Sequence, residues 1–184
     1  MSSGQSFSAL DGLVVGGTWS NNNAFVLENG ATAAVTGQLW VGQASITNFS
    51  QRNLVSVSGE NTRLTTTGGI DLNSGINGDD NALRISDGGV VLMNSDKTGD
   101  DSFDLYHHWV YGTSWLELGG GSLFLYGDKT SDYANDQEVL SSIKVWDETT
   151  GDFQAVASWG HAGTFILHES YFDMLAVQYI ADEA

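Results

Sequence analysis

Asn81-Ala-Leu-Arg-Ile-Ser-Asp-Gly-Gly89 is the stretch that decides the fold. Leu83 and Ile85 lie two apart, so an extended chain puts both on one face and Arg84 on the other. Asp87-Gly88-Gly89 then supplies residues that tolerate the positive φ of a tight turn. The same phrase returns along the chain. Phe25-Val-Leu27 precedes Glu28-Asn29-Gly30, Val55-Ser-Val57 precedes Ser58-Gly59-Glu60, and Leu116-Glu-Leu118 precedes Gly119-Gly120-Gly121. The starts 25, 55, 83 and 116 are spaced by 30, 28 and 33 residues. Asn53 and Asn81 open two copies at equivalent places, and looser apolar arms follow each turn: Ala33 and Val35, Leu64, Val90 and Leu92, Leu123 and Leu125.

Short strands recurring at this period, with glycine turns between them, predict stacked coils that share one core. The expected fold is all-β: a right-handed parallel β-helix, or β-solenoid, over residues 1–140. In it, Leu27, Val57, Ile85 and Leu118 form one interior row. A β-sandwich or jelly roll is the alternative; it also gives short strands but does not explain the returning phrase. Residues 141–184 read differently. Ile143-Lys-Val-Trp146 and Phe153-Gln-Ala-Val156 flank a turn at 147–152 and form a hairpin signal. Thr164-Phe-Ile-Leu167 and Met174-Leu-Ala-Val-Gln-Tyr-Ile180 follow as further strands. An open coil end invites pairing with other chains, so this segment is the expected C-terminal β cap of the same domain.

Composition narrows the function. The 184 residues carry six Lys and Arg against 23 Asp and Glu, a formal net charge of -17. Arg52, Arg63, Arg84, Lys97, Lys129 and Lys144 stand singly in the sequence, which excludes the basic footprint that nucleic acid or an anionic membrane requires. No run of apolar residues is long enough for a membrane-spanning helix. Met1-Ser-Ser-Gly-Gln-Ser6 has neither the basic nor the apolar region of a signal peptide, so Met1 is expected to be a start placed where a leader was removed. The chain has no Cys and no Pro. The missing thiols leave the compartment open, and the missing prolines suit strand ladders.

Trp19-Ser-Asn-Asn-Asn23, Phe25-Val-Leu-Glu-Asn-Gly30 and Gln38-Leu-Trp-Val-Gly42, with Asn53-Leu-Val-Ser-Val-Ser-Gly59 and Asn81 to Gly89, resemble repeats of a known kind. They are similar to the repeats of autotransporter proteins and of bacterial surface proteins that carry a Pro-Glu-Pro C-terminal sorting signal. The resemblance covers about residues 12–127. It implies an extracellular or cell-surface protein with a structural or adhesive role, and it supplies no catalytic residues. The segment Leu175 to Ala184 resembles the stretch before such a signal, but the signal itself is missing from this sequence.

Acidic loops are the chemical lead. Asp71, Asn73, Asn77, Asp79 and Asp80 space oxygen side chains along a loop that also holds glycines, as a Ca²⁺ site of six to eight oxygens would need. Ile76 and Ala82 stand where an EF-hand requires Gly and Glu. Asp96, Asp100 and Asp101 form a second cluster, and Asp128 and Asp132 a third; a shared Asp-Lys-Thr suggests that these two lie on adjacent coils. Plain solvated turns are the competing reading. His107-His108, His161 and His168 are read as packed side chains rather than zinc ligands, because adjacent residues of a strand point to opposite faces. The aromatics of the second half (Tyr106, Trp109, Tyr111, Trp115, Phe124, Tyr126, Tyr133, Trp146, Trp159) are expected mostly in the core and cap. Exposed ones would make a sugar-binding platform.

The function that follows is a non-enzymatic structural or adhesive surface protein, with Ca²⁺ at its acidic loops and its own copies as partners. Assembly into fibres or a surface layer belongs to this expectation. A glycan-binding module is the alternative. A polysaccharide lyase or hydrolase comes third, since Arg84 beside Asp87 is the one base a lyase could use.

Overall fold

A computed structural model describes residues 4–44, 48–74, 78–93, 103–105, 114–126, 141–155, 166–170 and 174–178. Every named element is a strand. Sheet A stacks β1 (Ser6–Ala9), β4 (Thr32–Val35), β8 (Arg63–Thr66), β12 (Val90–Met93) and β15 (Ser122–Tyr126), all parallel. Sheet B stacks β2 (Leu13–Val15), β5 (Leu39–Gln43), β9 (Ile70–Ser74) and β13 (Phe103–Leu105). Sheet C stacks β3 (Ala24–Glu28), β7 (Leu54–Ser58), β11 (Asn81–Ser86), β14 (Ser114–Gly119) and β16 (Ile143–Asp147), again parallel. A short pair, β6 (Ser50–Gln51) with β10 (Gly78–Asp79), fills the corner before sheet C. The chain therefore visits A, B and C in turn and repeats. It is a β-solenoid with parallel sheets; among the described residues its coils join by parallel ladders, with an isolated antiparallel bridge between Ser86 and Gly120.

Leu27, Val57, Ile85 and Leu118 are register partners across four coils, and each is fully buried. Phe25, Val55, Leu83, Leu116 and Ile143 form a second row beside them. Equivalent residues sit one strand spacing apart, about 4.8 Å, so like packs on like along the solenoid.

One arm is shifted by a residue from expectation. On β12 it is Val91 and Met93 that are buried, while Val90 and Leu92 point outward and are half-exposed. Val91 stacks between Leu64 and Leu123 in register. All four residues of β12 are apolar, so alternation could not fix its face; the neighbours' register did. The consequence is testable by thermal denaturation. Val91→Ser should cost about 2–3 kcal/mol through a buried hydroxyl and lost packing, and Leu92→Ser less than about 1 kcal/mol.

Few of the aromatics of the second half lie among the described residues. Among the described residues, the buried core holds Val, Leu, Ile, Ala and Met but no ring. Trp115, Phe124 and Trp146 are half-buried on the outside, and Trp40 likewise points outward from β5. Two rings, Phe7 and Phe25 of the first coil, are partly buried and pack against this core. Tyr106, Trp109, Tyr111, Tyr133 and Trp159 lie outside the described residues, and Tyr126 is the last residue of β15.

A polar spine runs beside the aliphatic rows. Asn53 donates from its backbone N–H and its Nδ2 to Asn81 Oδ1, at 3.0 and 2.9 Å. Asn23 does the same toward Asn53 Oδ1, at 3.1 and 2.9 Å. Asn81 Nδ2 donates to the Ser50 carbonyl at 3.0 Å, and Ser50 Oγ donates to the Gly16 carbonyl at 2.8 Å. Ser114 takes the next place in register after Asn81 and donates to the Leu72 carbonyl at 2.7 Å. These bonds satisfy backbone and side-chain polar groups of the buried corner beside the short β6–β10 pair. The residue before each Asn takes a left-handed backbone: Asn22 (φ 60°), Arg52 (φ 56°) and Asp80 (φ 53°).

At the end of the stack the pairing turns antiparallel. The hairpin of β16 and β17 (Asp152–Ala155) pairs Trp146 with Phe153 in register. Asp147 accepts the Thr149 N–H at 2.7 Å, a bond that holds its carboxyl below the ordinary value of 3.8. Strand β15 pairs antiparallel with β19 (Met174–Gln178), which pairs with β18 (Ile166–Ser170). Because β16 still pairs parallel with β14, the antiparallel part begins at β17 rather than at residue 141.

Candidate functional site

Each returning phrase leaves one side chain between its two apolar residues, and parallel register lines these up on the outer face of sheet C. The row reads Val26, Ser56, Arg84, Glu117, Lys144. Its last three members alternate in charge at the strand spacing. Arg84 Nε and Nη2 meet Glu117 Oε2 at 2.8 and 2.7 Å, with Glu117 9% and Arg84 38% exposed. The Arg84 guanidinium also lies 4.7 Å from the centre of the Phe153 ring, which packs edge-on against Trp146 at 5.2 Å. Lys144 Nζ stands 3.5 Å above the Trp115 ring. Trp115 Nε1 in turn donates to Asp80 Oδ1 at 3.4 Å.

Two shallow depressions meet at Arg84. One is lined by Arg52, Leu54, Ala82, Trp115 and Lys144, with a volume near 260 Å³; the other, near 500 Å³, by Ser86, Trp146, Glu148 and Phe153. Half of the chain's six bases thus converge on one face of a strongly acidic protein. Rings beside these bases and the carboxylates of Asp80, Asp87, Glu117 and Glu148 suit a ligand with apolar faces and hydroxyl groups. Arg84 is held between the Glu117 carboxylate and the Phe153 ring.

The expected metal ligands are placed as follows. Asp71 lies half-buried on the outward face of β9, in register between Trp40 and Asp104. Asn73 is on the same strand. Asp79 belongs to β10, where its carbonyl accepts the Arg52 N–H at 2.9 Å. Asp80 turns the corner into β11 and bonds Trp115, so its carboxylate serves the sheet C face. Asn77, Asp96, Asp100, Asp101, Asp128 and Asp132 lie outside the described residues, as do His107, His108 and His161; His168 is on β18. Among the described residues, no three carboxylates or imidazoles gather as a metal site.

Sequence reasoning missed Lys144, Trp115 and Arg52, which line the same depression as Arg84. A signal was present: the middle residues of Leu83-Arg-Ile85, Leu116-Glu-Leu118 and Ile143-Lys-Val145 alternate in sign.

Fold and face together define a parallel β-solenoid with a cation–aromatic outer wall. Comparison with protein-family models, curated proteins and solved structures gives no match to this chain.

Proposed function

We propose that this chain is a non-enzymatic structural and adhesive element of an extracellular or cell-surface protein, with its own copies as partners. The observation that carries the reading is the unbroken stacking of both the aliphatic rows and the Asn23–Asn53–Asn81 spine. Such a core makes each coil support the next, which suits a stiff element that spaces or displays a surface. The resemblance of the repeats to autotransporter and sorting-signal surface proteins supports the location. Ca²⁺ is part of the proposal: Asp71 and Asp104 are register partners on β9 and β13 in a chain of net charge -17, and divalent cations would screen so acidic a chain.

A glycan-binding role is the second reading, favoured by the Arg52, Arg84, Trp115 and Lys144 face. The test has three arms. Antibody labelling of intact cells should find the protein outside, and a panel of polysaccharides should release no reducing ends. Thermal denaturation should show a higher melting temperature with Ca²⁺ than with EDTA, by mass action on the folded loops. Released reducing ends or an intracellular protein would overturn the proposal; an unchanged melting temperature would remove Ca²⁺ from it. Specific binding on a glycan array would move the role to the second reading.

A further inference from the structure

We infer that the cleft between the Trp146–Phe153 ring pair and the glycine floor at Gly119-Gly120 is a subsite for one sugar ring of an uncharged polysaccharide. This subsite deepens the glycan-binding reading and rests on it, with the sugar at Trp146 rather than at Trp115. Three observations carry it.

The first is shape. The cleft has a volume near 500 Å³, within the roughly 300–1,000 Å³ of small-ligand sites. Trp146 and Phe153 are register partners across the β16–β17 hairpin and form one wall. Gly119 and Gly120 leave the floor without side chains. At Gly120 the backbone itself favours glycine, with φ 80°. Gly119 lies outside the left-handed region, so its backbone conformation does not call for glycine. What glycine supplies there is room: a Cβ would stand 3.3 Å from Ser86 Cβ and 3.5 Å from the Phe153 ring.

The second is the supply of polar groups. Ser86 Oγ, Trp146 Nε1 and the Glu148 carboxylate border the cleft and have no protein partner among the described residues. Arg84 also keeps donors, because a guanidinium carries more N–H groups than Glu117 engages at Nε and Nη2. Donors and acceptors thus surround an aromatic wall. A pyranose presents the matching surface, an apolar C–H face rimmed by hydroxyls. The depression at Trp115 is the reverse case. Lys144 Nζ already stands 3.5 Å over that ring, and the indole N–H is given to Asp80.

The third is charge. Glu117 neutralises Arg84, and the carboxylates of Asp87 and Glu148 remain at the cleft in a chain of net -17. A uronate or sulfated polymer would meet like charge there. Hydroxyl groups meet acceptors instead, and bonds to ionised acceptors are the strong ones. Asp87 Oδ2 accepts from Ser58 Oγ at 2.8 Å, which holds one of these carboxylates in place. In the complex, the sugar lays its C–H face on Trp146, donates hydroxyls to Glu148 and Asp87, and accepts from Arg84. Both depressions share Arg84, so a longer chain can continue from one into the other.

Affinity electrophoresis of the full chain, in native gels cast with soluble polysaccharides, tests this. At least one of soluble starch, a mixed-linkage β-glucan, galactomannan and arabinoxylan should retard the protein, and polygalacturonate should not. Trp146→Ala should weaken the interaction about tenfold and Glu148→Gln about threefold, while Trp115→Ala should change it less than about twofold. Glu148 is exposed, so its variant folds and keeps the test open even if Trp146→Ala disturbs the hairpin. Far-UV circular dichroism of each variant checks the fold. Retardation by polygalacturonate, loss of binding with Trp115→Ala but not with Trp146→Ala, or undiminished binding by Glu148→Gln would each overturn the subsite and leave glycan binding standing. No retardation by any of these polymers would overturn both.

Discussion

Asn53→Ala should lower the melting temperature by about 10 °C, from a loss of roughly 3 kcal/mol in a chain of this length. Asn53 is fully buried, and its carboxamide bonds to both neighbouring coils. Its Oδ1 accepts the backbone N–H and Nδ2 of Asn23, and its Nδ2 donates to Asn81 Oδ1 and, at 3.1 Å, to Ser50 Oγ. Alanine leaves all of these partners without Asn53 in a corner that water reaches poorly, and each unmet group costs about 1–3 kcal/mol. The cavity left by the carboxamide adds to the loss. Glu60→Gln, at an exposed position of a neighbouring turn, should stay within about 0.5 kcal/mol of the parent. Circular dichroism melting of the two variants checks the contrast. Equal stability would mean that the spine contributes nothing to cohesion.

Gly42→Ala should be costlier still, by roughly 4 kcal/mol, since two separate penalties coincide. Gly42 has φ 81°, where an L side chain is strained by about 1–2 kcal/mol. A Cβ there would also overlap the buried Asn81 carboxamide, whose position is fixed by its bonds to Asn53 and Ser50. Gly30→Ala separates the two penalties. Gly30 has a similar φ of 77°, but a Cβ there meets nothing nearer than 3.9 Å. It should therefore lose only the backbone part, about 1–2 kcal/mol. Urea unfolding of both variants gives the difference directly. If the two lost equally, close approach of Gly42 to the spine would not matter.

The coils were legible because Leu83, Ile85 and their counterparts repeat with the period of one turn of the solenoid. Positions that alternate cleanly, such as Leu116-Glu-Leu118, reveal both strand and face. Val90 to Met93 do not, since four apolar residues in a row carry no alternation, and the expected face was off by one residue. Trp40 and Trp115 also needed the register of their neighbours before their outward direction was fixed. The spine was half legible: Asn53 and Asn81 were seen as equivalent, while Asn23 and Ser114 extend the series only once the coils are superposed. The sheet C face depends on residues 30 to 90 apart in sequence, and its Lys144–Trp115 and Arg84–Phe153 contacts follow from the cap closing over the last coils. Parallel stacking turns a one-dimensional repeat into a two-dimensional pattern. The outward half of that pattern is not constrained by burial and so leaves a weaker trace in the sequence.

The central claim is the order in which coils stack, and methyl–methyl nuclear Overhauser contacts in solution test it most directly. Leu27, Val57, Ile85 and Leu118 should give a chain of contacts, each with its next neighbour at about the 4.8 Å strand spacing. Leu27 should show none to Ile85 or Leu118, which lie two and three coils away. Strong Leu27–Leu118 contacts, or no Val57–Ile85 contact, would contradict the solenoid.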